Sequence, residues 1–238
     1  MTELAYLASP SQTETDAQLS TVEDEAGAMS LVLDRTPFYP QGGGQPSDTG
    51  VIEGDGFVFE VRKASLQEGI VHHHGVPVQG NPAPGPVHAK IDVDRRALHA
   101  RLHTGGHLIM TAMYELTGLR AVKGYHFPEG PYVEFDGTLD ETARDGLIER
   151  LQQRIDEMVA VDTPVLVEST SVSELKAAGV FIPGEIPADK PTRVVTTFGY
   201  KSPCGGTHVG NSGELAGLRI RKIKSKSGRT RVSYELDS

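Results

Sequence analysis

Two pairs of metal-ligating residue types place the strongest constraint on the fold of this 238-residue chain. The first pair is His103 and His107 in the stretch "LHTGGHLIM", and the second is Cys204 and His208 in "SPCGGTHVG". The inner members lie 97 positions apart (204 minus 107), which is far beyond the ligand spacing of a zinc finger. If the two pairs share one ion, the fold must bring two remote segments together.

The residue types and spacing predict a zinc site. Two histidines four apart on a helix project from one face, and zinc accepts three imidazoles with one thiolate. We interpret His103, His107, Cys204 and His208 as the ligands. Thr104 stands where the metalloprotease motif H-E-x-x-H has glutamate, so that chemistry loses its base. A nucleophilic Cys204 with His208 as base is an alternative, but it leaves the helical pair unexplained.

The first 90 residues predict a small antiparallel β-barrel. Short apolar runs alternate with glycine and proline and lack a helical period. The His72–His74 run lies in one of these strand-like stretches, so we interpret it as an exposed edge and not as a metal site. The proline-rich stretch "GNPAPGPVHAKIDVD" then marks a boundary. We therefore assign residues 1–90 to an N-terminal domain and 91–238 to a second domain.

The second domain opens with a long helix. Asp92 or Asp94 can cap it, and its apolar positions continue to Thr117. Gly105 and Gly106 lie in mid-helix, where each costs about 1 kcal/mol relative to alanine, so another group must approach the helix closely. The strands "RAVKGYHF" and "YVEFDG", a helix over "DETARDGLIERLQQRIDEMVA" and closing strands follow. This mixture predicts an α+β, two-layer domain with the zinc site between the long helix and the C-terminal sheet.

Charge is distributed unevenly along the chain. The formal net charge is −9, which argues against a nucleic-acid partner, and the first 34 residues contain seven acids and no Lys or Arg. Between Arg219 and Arg231, however, there are seven basic residues and no acid. Such a block can follow a phosphate backbone whatever the total charge. The alternative is a solvated face of a terminal hairpin.

Cysteine usage and hydropathy indicate a cytoplasmic protein. One cysteine cannot form an internal disulfide, and there is no run of 18 apolar residues. The N-terminal stretch "MTELAYLASPSQTETDAQ" has neither a basic start nor an apolar core, so it does not have the pattern of a secretory signal. The expectation is a location in the cytoplasm with no membrane partner.

Three motifs resemble those of a known family. The stretches "FYPQGGGQPSDTG", "HTGGH" and "SPCGGTHVGNSGEL" are similar to those of the AlaX proteins, free-standing relatives of the alanyl-tRNA synthetase editing domain. The resemblance extends from about Asp34 to the C-terminus. A glycine-rich motif within an N-terminal barrel indicates the medium-length AlaX type.

The resemblance implies a hydrolase that acts on tRNA(Ala) mischarged with serine, and also with glycine, by cleaving the aminoacyl ester without ATP. It matches the four zinc ligands given above. It also implies contact of the glycine-rich motif with the editing pocket. Together with the basic strand and the glycine turn, this gives the predicted substrate-binding residues Gly42, Gly43, Gly44, Gln45, Gly206, Thr207, Arg221 and Lys222.

One segment departs from the family pattern, and the catalytic group stays open. Val122–Tyr125 stands where the synthetase domain has Gln-Lys-Gly-Ser, so the resemblance leaves the details of amino-acid discrimination open, and His126 is a candidate polar group instead. The catalytic group is unassigned. Candidates are a zinc-associated water, Thr104, His126 and the backbone N–H groups of Gly205–Thr207 as oxyanion donors.

Two other functions remain open at this point. The chain could be a tRNA-binding module with a purely structural zinc, or a metal-dependent hydrolase of small esters or amides. A phosphate cradle at the glycine-rich stretch is rejected, because such cradles need a helix to begin directly after the glycines, whereas "QPSDTGVIEG" predicts a turn and a strand.

Overall fold

The chain is described by a computed structural model over residues 1–8, 12–25, 28–184 and 192–237. It divides into two compact units, Met1–Leu98 and His99–Ser238. The prediction of an α+β chain that begins with an antiparallel barrel is confirmed. The division falls inside the longest helix, and the assignment of domains to residues 1–90 and 91–238 stays a prediction.

The described residues of the first unit form eight strands and one short helix. In chain order they are β1 (Glu3–Leu4), α1 (Ala5–Ala8), β2 (Glu14–Glu25), β3 (Ala28–Leu33), β4 (Arg35–Thr36), β5 (Gly50–Gly54), β6 (Phe57–Gln67), β7 (Ile70–Gln79) and β8 (Gly85–Ile91). The long helix α2 (Val93–Thr117) begins in this unit and ends in the next.

Six of these strands close into a barrel in the order β2-β3-β7-β6-β5-β8. Every neighbouring pair is antiparallel. Alternate residues point inward, as on β6, where Phe57, Phe59 and Val61 are buried in the barrel core. Closure leaves no free edge within the barrel.

The interpretation of the three consecutive histidines as an exposed edge is wrong. β7 pairs with β3 on one side and with β6 on the other. The middle residue, His73, is fully buried, and its ring nitrogens lie 2.7 Å from Thr36 Oγ1 and 2.9 Å from the Leu31 carbonyl oxygen. His73 is therefore a core residue with both polar atoms satisfied.

A buried ion pair fixes the loop that carries the glycine-rich motif to the first turn of α2. The Nε atom of Arg96 lies 3.0 and 3.1 Å from the two carboxylate oxygens of Asp48, and its Nη2 donates to the Pro37 carbonyl at 2.7 Å. The same carboxylate accepts the Tyr39 N–H at 2.7 Å. The aspartate of "GGGQPSDTG" is thus a structural anchor.

The glycines of this motif form a tight two-residue turn. Gly42 and Gln45 exchange backbone hydrogen bonds of 3.2 and 2.8 Å. Between them, Gly43 and Gly44 have φ values of 54° and 79°, which glycine adopts with little strain. Tyr39 Oη donates to the Gly42 carbonyl at 2.9 Å. Backbone geometry therefore explains why glycine occupies the two central positions.

In the second unit, the residues that the structure describes form two sheets and three further helices. Its elements are β9 (Ala121–Tyr125), β10 (Tyr132–Asp136), α3 (Glu141–Arg144), α4 (Leu147–Val161), β11 (Leu166–Thr170), α5 (Val172–Ala177), β12 (Thr192–Thr197), β13 (Tyr200–Pro203), a 3-10 turn (Ser212–Leu215), β14 (Leu218–Lys226) and β15 (Arg229–Leu236). The sheet orders are β14-β15-β10-β9 and β11-β12-β13.

Helix ends follow local chemistry. Asp92 caps α2, since its side chain accepts the Arg95 N–H at 3.0 Å. The predicted helix over residues 140–160 is instead two helices, α3 and α4, because Gly146 adopts a left-handed conformation between them (φ 60°). The apolar stripe of α4 is buried as its period requires; its members are Leu147, Leu151, Ile155 and Met158.

No helix in the part of the chain that the structure describes is both long enough and apolar enough to cross a membrane.

The Arg96–Asp48 pair gives a first prediction. Because Asp48→Ala leaves a buried guanidinium without its counter-ion, we expect the free energy of unfolding to fall by about 3–5 kcal/mol. Urea denaturation followed by circular dichroism measures this change. The control is Glu60→Ala, which removes an exposed ion pair with Arg62 and should change stability by less than about 1 kcal/mol. Equal effects of the two substitutions would contradict the anchoring role.

Candidate metal centre

The structure brings the two remote residue pairs together. His103 and His107 lie one turn apart on α2, Cys204 follows β13, and His208 lies in the loop that leads to the 3-10 turn. One potential ligand atom from each of the four side chains lies within 4.8 Å of every other. Cys204 Sγ is 3.3 Å from His103 Nε2 and 3.4 Å from His208 Nε2. This cluster can hold a metal ion.

Hydrogen bonds outside the cluster orient two of the imidazoles. His107 Nδ1 lies 3.0 Å from Ser202 Oγ, and His208 Nδ1 lies 3.2 Å from Thr104 Oγ1. In each ring this leaves Nε2 for the cluster. Metal-binding histidines commonly have such an outer partner, which fixes the ring orientation and the tautomer. The donor set and its surroundings therefore fit a divalent transition metal.

Thr104 is fully engaged in holding this arrangement. Its hydroxyl donates to the Ala100 carbonyl at 2.7 Å and accepts the Val209 N–H at 3.2 Å, beside the contact with His208. A hydroxyl has one donor and two acceptor sites, so all three are used. The side chain is fully buried, and its contacts are those of a positioning residue.

Burial sets the protonation of the cluster. Desolvation lowers the pKa of His107 to about 4 and holds the pKa values of His103 and His208 well below their usual range. It raises the pKa of Cys204 to about 11. The imidazoles are thus neutral at pH 7, as metal ligation requires, and the thiol gives up its proton when a cation binds. A buried thiol with a raised pKa is a poor nucleophile, which disfavours Cys204–His208 catalysis.

His126 explains the glycine at position 106 in the middle of α2. Its ring stacks on His103 with centroids 4.4 Å apart, and a Cβ atom at Gly106 would lie only 2.3 Å from its Cε1. A Cβ at Gly124 would come equally close to its Nε2. The group that approaches this part of the helix closely is therefore an imidazole.

A tyrosine fixes the orientation of His126. Tyr234 Oη donates to the Leu102 carbonyl at 2.8 Å and lies 2.7 Å from His126 Nδ1, so it accepts the ring N–H. Burial lowers the pKa of His126 to about 3. The ring is therefore neutral, with Nε2 unprotonated, next to the candidate ligand His103.

Arg193 is a site residue that the motif analysis missed. It lies on β12, and its Nη1 donates to the carbonyl oxygens of Cys204 and Gly206. Its own carbonyl accepts the Cys204 N–H at 2.9 Å. Arg193 therefore holds both ends of the Cys-Gly-Gly turn. Sequence patterns do not identify Arg193, because a single arginine within a strand gives no spacing signal.

The predicted oxyanion donors differ in their surroundings. Gly206 is buried and its N–H points to Cys204 Sγ at 3.4 Å, while Thr207 is buried among protein contacts. Gly205 is exposed, and no atom lies within 4 Å of the position of a Cβ there. Neither glycine has a positive φ, so the turn does not require the left-handed conformation. Gly205 is the member of this segment that is open to solvent.

The predicted RNA-binding residues lie on β14. Arg221 is exposed but forms an ion pair with Glu235 at 2.6 Å. A bulge after Ile220 shifts the register, so that Lys222, Lys224 and Lys226 are exposed at alternate positions. Within the described part of the chain these three lysines form no ion pair. The glycine turn, Gly42 to Gln45, belongs to the first unit, where Gln45 is buried.

Known proteins with similar sequences include alanyl-tRNA editing proteins and alanine–tRNA ligases. A family model described as "tRNA synthetases class II (A)" matches residues 3–95. The alanyl-tRNA editing protein AlaX-M of Methanosarcina acetivorans is 33% identical over 246 residues, covering 98% of each chain. AlaX-L of Pyrococcus horikoshii is 28% identical, covering 95% of this chain and 56% of its own.

The ligases match over only part of their length. The alanine–tRNA ligase of Leptospira biflexa is 30% identical over 93% of this chain, which spans 25% of the ligase. In contrast, the match to AlaX-M runs from end to end in both proteins. The chain belongs to the AlaX family of alanyl-tRNA editing proteins.

The contact between Ser202 and His107 gives a second prediction. Because Ser202→Ala removes the partner that orients one candidate ligand, we expect metal affinity to fall roughly 10- to 100-fold. Competition with a chromophoric chelator measures this affinity. Ser30→Ala is the matched control, since Ser30 is also a buried serine with a side-chain partner, Glu23, but lies in the barrel. If both variants keep the wild-type affinity, Ser202 has no role in metal binding.

Proposed function

We propose that the protein hydrolyses the aminoacyl ester of mischarged tRNA(Ala), acting on Ser-tRNA(Ala) and also on Gly-tRNA(Ala). Hydrolysis adds water across the bond between the aminoacyl carbonyl and the terminal ribose oxygen, releasing the amino acid and intact tRNA without ATP. The observation that carries this proposal is the four-residue cluster in a member of the AlaX family. The reaction belongs in the cytoplasm, where charged tRNAs are used.

The proposed ligands are His103, His107, Cys204 and His208, and the proposed ion is zinc. Three imidazoles and one thiolate are typical zinc donors. Bound there, zinc supplies positive charge that stabilises an electron-rich oxygen or nitrogen of the substrate. The same four residues are the metal-site assignment made from the motifs.

The surroundings of the cluster divide into supporting and substrate-facing residues. Thr104, Ser202 and Arg193 keep the cluster rigid through the hydrogen bonds described above. The exposed turn at Gly205 is the proposed point of approach for the ester carbonyl, because a backbone N–H there can stabilise a developing oxyanion. His126 belongs to the supporting residues. Its Nδ1 is bonded to Tyr234, which keeps its ring packed against that of His103.

The exposed edge of β14 is the proposed contact for tRNA phosphates. Lys222, Lys224 and Lys226 project from one side of the strand without acidic partners among the described residues. Nearby arginines are already paired, Arg229 with Asp136 and Arg231 with Glu134. An unpaired lysine binds a phosphate at a lower free-energy cost than an arginine that must first break its ion pair with a carboxylate. The glycine turn at residues 42–45 remains a proposed second contact.

A tRNA-binding module with structural zinc is the competing function. Four protein ligands, two of them buried and two partly buried, are typical of structural sites, whereas catalytic sites keep an open position. In that case metal removal would unfold the protein, and the folded form would bind tRNA without turnover. A hydrolase of small esters is the other competitor, and it would act without the tRNA body.

The third prediction concerns substrate choice. Purified protein should deacylate Ser-tRNA(Ala) at least about tenfold faster than Ala-tRNA(Ala), which is the scale at which a site distinguishes similar side chains. His103→Ala and treatment with a chelator should each abolish the activity. Acid-gel or filter assays of charged tRNA measure the rates, and elemental analysis measures the bound zinc.

Two controls separate the alternatives. His88→Ala changes a histidine on the barrel surface that pairs with Asp16, and it should leave the rates unchanged. Circular dichroism of the metal-free protein reports folding. Equal cleavage of Ser- and Ala-charged tRNA would exclude selective editing. Rapid cleavage of serine methyl ester, unaffected by substitution on β14, would favour the small-ester hydrolase.

The fourth prediction concerns salt. Each lysine that neutralises a phosphate contributes about one unit to the slope of log affinity against log salt. The double variant Lys222→Gln/Lys224→Gln should therefore bind tRNA(Ala) more weakly and reduce that slope by about two units. Lys63→Gln, an exposed lysine on the barrel, is the control. A slope that the double variant leaves unchanged would show that β14 does not contact the RNA.

A further inference from the structure

A pocket of about 330 Å³ lies in the second unit, beside the C-terminal end of α2. Its walls are aromatic and cationic, and they are built by Tyr114, Arg120, Phe181, Tyr200 and Lys201. The rest of the lining is small or aliphatic and consists of Ala178, Gly179, Val180 and Gly199. Among the described residues, none of those that line the pocket is acidic. The metal chemistry described above does not use any of these residues.

The aromatic rings of the pocket offer a stacking surface. The ring centroids of Tyr114 and Tyr200 are 5.3 Å apart, and the ring planes are inclined by 55°. Tyr114 is 38% exposed. A partly exposed cluster of rings leaves π-faces and apolar area available, and planar heterocycles such as nucleobases stack on such faces whatever their sequence.

Arg120 adds positive charge without closing the pocket. Its guanidinium carbon lies 5.7 Å from the Tyr114 ring centroid and 5.3 Å from that of Phe181. A guanidinium held over rings keeps its N–H edge available for a phosphate. Among the described residues no acid pairs with Arg120. Lys201 lies 3.8 Å from Glu168 in an exposed pair, which is weak enough to yield to a phosphate.

The pocket and the metal cluster lie along one line of contacts between α2 and the β12–β13 hairpin. Three residues on one face of the helix each contact a residue of the hairpin. His107 contacts Ser202 at 3.0 Å, Thr111 contacts Thr197 at 2.8 Å, and Tyr114 packs on Tyr200. Seven helical residues from His107 to Tyr114 correspond to a rise of about 10 Å. The pocket is therefore a short distance from the cluster.

We propose that this pocket binds a nucleotide from the unpaired 3′ end of the tRNA substrate, with the base against Tyr114 and Tyr200 and the phosphate held by Arg120 and Lys201. The inference rests on the proposed function, which places the esterified terminal ribose at the metal cluster. The nucleotides just before that ribose must then lie close by. Stacking together with phosphate binding positions the ester without reading a base sequence.

The test compares two forms of uncharged tRNA(Ala), one complete and one lacking its unpaired 3′ nucleotides. Equilibrium binding to the zinc-loaded protein is measured for the wild type, Tyr114→Ala, Tyr114→Phe and Arg120→Gln. The matched control is Leu116→Ala, because Leu116 lies on the same helix with an exposed fraction of 39% but outside the pocket. Circular dichroism verifies that each variant is folded.

We expect truncation of the tRNA to weaken binding to the wild type about tenfold or more. Tyr114→Ala and Arg120→Gln should bind the two tRNAs with nearly equal affinity, because the group that senses the 3′ end is gone. Tyr114→Phe should behave as wild type, since stacking needs the ring and not the hydroxyl. Leu116→Ala should also behave as wild type.

Two results would overturn the inference. One is an unchanged effect of truncation in both Tyr114→Ala and Arg120→Gln. The other is binding of cytidine or adenosine 5′-monophosphate as tightly as a trinucleotide of the 3′-end sequence, together with no effect of truncation in the wild type, because the pocket would then serve a free nucleotide. Failure of the proposed function has a separate readout, which is absence of Ser-tRNA(Ala) hydrolysis by the wild type.

Discussion

The structure of the second unit depends on holding four polar side chains together in a buried place. His103 and His107 are supplied by a helix, and Cys204 and His208 by a distant loop. Removing imidazoles and a thiol from water is unfavourable, and the lowered imidazole pKa values reflect that desolvation. A divalent ion would offset it, because ligation replaces the lost solvation.

Much of the nearby structure keeps these groups in place. Thr104 and Ser202 orient imidazoles, and Arg193 ties down the turn that carries the thiol. Gly106 lets His126 pack against the helix, where Tyr234 fixes its ring. Such outer partners restrict the ligand side chains to one arrangement. A site that is preorganised in this way can stabilise charge on a substrate without first rearranging its own side chains.

Sequence patterns were informative where a local period or a fixed spacing carries the signal. The four-residue spacing of each pair identified the cluster, and alternating apolar residues indicated the barrel strands. They were less informative for single residues. Arg193 acts through contacts with the Cys-Gly-Gly turn and Ser202 through a contact with α2, and His73 is buried by a barrel that closes around it. The break between α3 and α4 was missed because the apolar stripe begins only at Leu147, so its period gives no information about the residues before Gly146.

The sequence by itself determined which residues have the chemistry to bind a metal and which strand carries unbalanced positive charge, because both depend on residue type and spacing. The tertiary structure decided which of these groups are free of other contacts and can therefore bind a ligand. It paired Arg221 with Glu235 and left the lysines of β14 exposed. It also filled the space above Gly106 with His126, and it assembled an aromatic pocket from Tyr114 and Tyr200. The physical reason is that pairing, burial and stacking are contacts between segments far apart in the chain, so no local pattern records them.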